Sequence, residues 1–194
     1  KYLTLTNLYL QTCNVETAHI MITNFLRLVI LMHRNNLFQS NSLSLSGHLD
    51  LIMREMSVDF AREDIVISVA NLAVEEKEPA LLPMCFFLAA NTGDSASFEL
   101  IRLLNEKSFG FDEQTGSYLS LNTKFWAATA AIHASRDIKT LILKYLQQCQ
   151  KRDDIETASM IEMVSYIFHD RTASLLREHL DLIAQSLIDQ IDAE

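Results

Sequence analysis

The side chains best suited to proton transfer or metal ligation in this chain are six histidines: His19, His33, His48, His133, His169 and His179. No two stand four residues apart, the spacing that turns two imidazoles toward one metal on a helix face, and none adjoins a cysteine. His169-Asp170 pairs a base with a carboxylate that could orient it. A histidine at a helix end more commonly bonds the last free carbonyls, and that reading is preferred. Cys13, Cys85 and Cys149 lack metal-ligand spacing. They read as buried reduced thiols in an intracellular compartment, cytoplasm or mitochondrial matrix.

Nucleophile and phosphate chemistry fare no better. Ser44 and Ser46 precede Gly47, but no G-x-S-x-G elbow follows a strand. The four glycines are scattered, so no phosphate-cradling loop is present. Glu75-Glu76 and Asp153-Asp154 fall at expected helix starts or solvent turns, and the two Glu-x-x-His motifs that a di-iron bundle requires are not both present. The residues therefore predict no catalytic site, no metal and no cofactor, and the chain is expected not to be an enzyme. The aromatics Phe86, Phe87, Phe98, Phe125, Trp126, Tyr145, Tyr166 and Phe168 all take helical positions, where core packing is their ordinary role. A minority would anchor a partner in a groove. Arg102, Lys124 and Trp126 are the candidate partner-binding residues.

The elements that must position these groups are helices. Of 194 residues, 49% are hydrophobic, while only four are glycine and two proline, so long helices joined by short turns are favoured. A helix is expected from Val15 to about His33, with Asn14 as its cap, after a helical stretch from Tyr2 to Cys13. Its run from Ile20 to Met32 is too short and too polar to span a bilayer, and its apolar surface suits a buried member of an array. The serine-rich segment 34–46 is the longest loop and the candidate internal break of one domain over 1–194. Short helices follow from Gly47 to Met56 and from Asp59 or Arg62 to about Ala73. Within the latter, Ile65 to Ala70 is β-branched, yet no partner strand exists elsewhere. Pro79 opens a helix that passes Pro83 and ends at Gly93. Asp94 is expected to cap the next, to about Asn105, ahead of a loop with Gly110 and Gly116. Further helices are expected over 122–134, 137–150, 154–168 and from Arg171 or Thr172 onward. The chain begins with Lys1 rather than Met and reads as a piece of a longer one.

Two segments are similar, and their alanine pairs, Ala89-Ala90 and Ala130-Ala131, stand 41 residues apart. Phe86-Phe87-Leu88-Ala89-Ala90-Asn91-Thr92-Gly93-Asp94 matches Trp126-Ala127-Ala128-Thr129-Ala130-Ala131-Ile132-His133-Ala134, each with an alanine pair and a small residue after it. Small residues let one helix cross close to the backbone of the next. The pattern resembles the Sel-one-like repeat, a relative of the tetratricopeptide repeats, over about Pro79 to Gln150. Leu88-Ala89-Ala90-Asn91-Thr92-Gly93-Asp94 follows the family motif, with Ser97 in its small-residue slot, Gly110-Phe111-Asp112 as its glycine loop and Trp126 as its aromatic. Ala134 departs from the capping glycine, and Arg102 stands where a glycine would follow the second helix. A second echo pairs Tyr9-Leu10-Gln11-Thr12-Cys13 with Tyr145-Leu146-Gln147-Gln148-Cys149, each followed by an acidic-capped helix start.

The resemblance implies an all-α, antiparallel helix-hairpin array, an α-solenoid or tetratricopeptide-like superhelix, working as a non-catalytic scaffold that presents a groove to another protein or peptide. A pentatricopeptide-like RNA-binding protein of an organelle, or a dimerising regulatory helical domain, are the alternatives, and the oligomeric state stays open. Sixteen basic residues against 25 acidic ones, a formal charge of −9, disfavour general binding to nucleic acid or anionic membranes.

Overall fold

A computed structural model describes residues 17–37, 43–56, 61–110 and 119–149. The described residues form seven α-helices and one 3₁₀ turn, with no strand among them. The expected helices over 2–13, 154–168 and beyond 171, together with Asn14, Gly116, Cys13 and the earlier copy of the Tyr-Leu-Gln echo, lie outside the described residues.

Helix α1 runs Ala18–Arg34 and buries Ala18, Ile22, Leu26, Val29 and Ile30, one stripe at helical spacing. It packs on α3, Glu63–Glu75. The expected all-round burial of α1 is corrected, because Ile20, Leu28 and Leu31 are 51%, 53% and 45% exposed on its other side. Arg27 and Arg34 tie its carboxyl-terminal half to the end of α3. Arg27 donates to Glu75 at 2.8 Å and to Glu76 at 3.2 Å, and Arg34 donates to the Glu76 carboxylate at 2.8 Å. These pairs are partly solvated, so each is worth at most about 1 kcal/mol.

Helix α2, Leu45–Glu55, is capped by Ser44. In α3 the β-branched run is helical, as expected, and Ile65, Val66, Val69 and Ala70 are fully buried. Glu63 and Asp64 occupy its first turn, where anions suit the helix dipole. Glu78 and Pro79 then open a 3₁₀ turn, Pro79–Leu81, that runs directly into α4, Leu82–Thr92.

Helix α4 is central among the described helices. Leu82, Met84, Cys85, Phe86, Leu88 and Ala89 are at most 1% exposed, because α2, α3, α5 and α6 all pack around it. At Gly93 the chain turns with φ of 122° and ψ of −169°, a region open essentially to glycine alone, and α5, Asp94–Glu106, begins at once. The expected capping by Asp94 is corrected. Gly93 holds the cap position, and the Asp94 carboxylate instead accepts the backbone N–H of Ser135 at 2.9 Å.

Ser135 precedes α7, Arg136–Gln148, and α6 spans Leu121–His133. Helices α4 and α6 make the most extensive approach between any two described helices, and α5 packs on both α3 and α7. Ala127, Ala130 and Ala131 are at most 2% exposed. The close crossing of α4 and α6 follows from these small side chains, since larger ones would hold the two backbones apart. Asp94 opens α5 and Ser135 immediately precedes α7, so the bond between them joins the starts of these two helices. Behind them Tyr145, 2% exposed, donates its hydroxyl to the Phe109 carbonyl at 2.9 Å and joins α7 to the turn after α5.

Candidate functional site

The first turns of three elements line one open cleft of about 870 Å³. Each is built by local capping chemistry. Ser44 Oγ accepts the N–H of Gly47 at 3.2 Å and starts α2. A Glu78 carboxylate oxygen accepts the N–H of Ala80 at 3.4 Å and starts the turn into α4, whose Pro83 has no N–H to satisfy. Ser120 Oγ accepts the N–H of Thr123 at 3.2 Å and starts α6, and the two hydroxyls also meet at 2.8 Å. The walls are apolar, from Leu51, Pro79, Leu82, Pro83 and Leu119.

The polar content of the cleft centres on Asp50. Asn122 Nδ2 donates to Asp50 Oδ1 at 2.8 Å, joining α2 to α6. Burial holds the Asp50 carboxyl above its ordinary range. The Asn122 hydrogen bond and the charge of Arg54, one turn along α2, only partly offset this. Arg54 also lines the cleft but makes no ion pair with Asp50. Among the described residues the lining holds two carboxylates, Asp50 and Glu78, and one cation, Arg54.

None of the three candidate residues from the sequence lines this cleft. Arg102, on the surface of α5, is clamped within its own helix by Glu99 at 2.6 Å and Glu106 at 2.6 Å, and these bonds, Glu99 first, raise its pKa. Lys124 is buried on α6, at 6% exposure. Trp126 is partly buried, with its ring edge-on to Phe87 at 5.0 Å and to Phe125 at 5.2 Å, so it helps fasten α6 to α4. Sequence reasoning missed Asp50 and Asn122. They stand 72 residues apart, and no local spacing announces that they meet.

The remaining chemistry-bearing groups are dispersed. His33 and His48 approach edge to face at 6.3 Å, and His19 Nδ1 lies 3.5 Å from the Asp64 carboxylate. No group of three or more His, Cys, Asp or Glu able to hold a metal occurs among the described residues. Cys85 and Cys149 are free and buried, and burial pushes their thiols up to about 12 and about 11. No helix of the described residues is long and apolar enough to cross a membrane. Comparison with protein-family models, with curated proteins and with solved structures gave no match to this chain.

Proposed function

We propose that this chain is a non-catalytic helical scaffold that holds a segment of another protein. The hairpins α4–α5 and α6–α7 stand side by side like successive units of a tetratricopeptide-like array of the Sel-one kind. Three contacts favour that reading: first helix on first helix, second helix on second helix, and the bond between Asp94 and Ser135 at the starts of the two second helices. The cleft at the starts of α2, α4 and α6 is the groove such an array offers. Its volume is within the range of ligand pockets, and its lining mixes apolar side chains with polar and charged ones. The observation that carries the reading is this cleft, set between helices rather than on one of them. A partner there touches three elements at once and is read by their relative placement.

Capture from native extract tests it. The full chain and two charge variants would be immobilised in parallel: Leu51→Arg in the cleft and Lys144→Glu on the exposed side of α7. Proteins retained by the wild type and by the α7 variant, but lost from the cleft variant, are the expected result. Equal retention by all three would refute the cleft as the partner site.

A further inference from the structure

The cleft has a charge preference as well as a shape, and this rests on its reading as the partner site. We propose that it seats an extended peptide segment in which a lysine or arginine stands beside an aliphatic residue, the cation meeting Asp50 and the aliphatic side chain meeting Leu51 and Pro79.

Asp50 Oδ1 accepts from Asn122 at 2.8 Å, while Oδ2 accepts no hydrogen bond from any described residue. The carboxylate is half-buried, which raises its pKa, and its open oxygen keeps enough solvent contact for an incoming cation to reach it. The groups facing it narrow the remedy. From α2, Arg54, one turn along, adds a positive charge but makes no ion pair with Asp50. From the start of α4, Glu78 adds a second negative charge, its own carboxylate engaged with the Ala80 N–H and 3.8 Å from Arg34. From α6, Ser120 and Thr123 spend their hydroxyls on each other and on the cap. Two carboxylates against one arginine favour an incoming cation over an anion, and the chain's charge of −9 steers a basic segment toward it. The aliphatic neighbour follows from the lining, where Leu51 and Pro79 leave apolar surface in the same cleft as the carboxylate.

The same facts supply a variant that folds. An aspartate whose folded pKa is raised loses stability as pH rises through that pKa, so its charge is a burden at neutral pH. Asp50→Asn removes the burden and keeps an oxygen for Asn122. Its urea midpoint at pH 7 is expected to equal or exceed that of the wild type.

The test is an NMR titration of the full ¹⁵N-labelled chain with acetyl-Ala-Leu-Lys-Leu-Ala-amide and with counterparts carrying norleucine or glutamate at the centre. The lysine peptide is expected to move the Asn122 side-chain amide and the Asp50 and Ser120 backbone signals. It should bind at least tenfold more tightly than the norleucine peptide, and the glutamate peptide least of all. Asp50→Asn should abolish the lysine advantage and leave norleucine binding unchanged. Equal binding of the lysine and norleucine peptides, preference for glutamate, an undiminished lysine advantage in Asp50→Asn, or no binding of any peptide overturns the cation assignment. Loss of captured protein on Leu51→Arg would survive each of those results, so failure of the charge preference is distinguishable from failure of the cleft.

Discussion

The contact of Gly110 with Tyr145 gives a coupling that stability measurements resolve. Tyr145 is 2% exposed, its ring lies 6.0 Å from that of Phe86, and its hydroxyl donates to the Phe109 carbonyl at 2.9 Å. Tyr145→Phe keeps the ring and removes the bond. The partly buried Phe109 carbonyl then loses its donor, a cost of about 1–2 kcal/mol. Gly110 has φ of +93°, and a Cβ built there overlaps the Tyr145 hydroxyl and comes 2.9 Å from Leu119 Cδ2. Gly110→Ala therefore carries backbone strain of about 1–3 kcal/mol, with the steric overlap added. The two effects are not independent. With the hydroxyl gone, the nearest obstacle to the new methyl group is gone too. The double variant should be less destabilised than the sum of the singles by about 1 kcal/mol, within the range known for residues in contact. Urea unfolding of all four proteins at one pH, with m-values compared to confirm a common transition, measures it. Additivity within about 0.5 kcal/mol would refute the reasoning, because it would mean that the methyl group never meets the hydroxyl.

Two further outcomes follow from local chemistry. Gly93→Ala should cost about 1–3 kcal/mol, read from the urea midpoint, although nothing lies within 4 Å of the added Cβ, because the whole penalty is conformational at φ of 122°. An unchanged midpoint would show that the turn does not need that φ. Cys85, 0% exposed with its thiol pushed up to about 12, should resist iodoacetamide at pH 8 in the native chain and react in 8 M urea, as mass spectrometry of the peptides would show. Prompt labelling of Cys85 in the native chain would contradict the burial of α4.

Much of the helical layout was legible because it follows from local rules. The run Ile65–Ala70 was assigned to a helix on the absence of a partner strand, and burial of Ile65, Val66, Val69 and Ala70 accounts for its composition. Gly93 announced the end of α4 because few other residues accept its backbone angles. Asp94 misled for an instructive reason. An acidic residue after a helix break suits a cap, but Gly93 already holds that position, and the carboxylate is drawn to Ser135 in the neighbouring hairpin. The apolar run of α1 misled as well, because hydropathy alone does not distinguish a helix covered all round from one covered on a single side.

The cleft was not legible, since its carboxylate, its amide and its proline walls come from three separate stretches brought together only by packing. Arg102 is a partner candidate by its residue type and its place near the best-matched repeat. The spacing of Glu99 and Glu106 around it was the signal for an intrahelical clamp. Trp126 is a partner candidate by its residue type, and its edge-on contacts with Phe87 and Phe125 commit its ring to helix packing as well.

The scaffold reading is tested most directly by placing a photo-crosslinking amino acid at position 51 in the cleft and, separately, at position 144 on α7, then irradiating each full chain in native extract. The account predicts a discrete protein adduct from position 51 that the lysine-centred peptide competes away, and none of comparable yield from position 144. Adducts from position 144 with none from position 51 would contradict it.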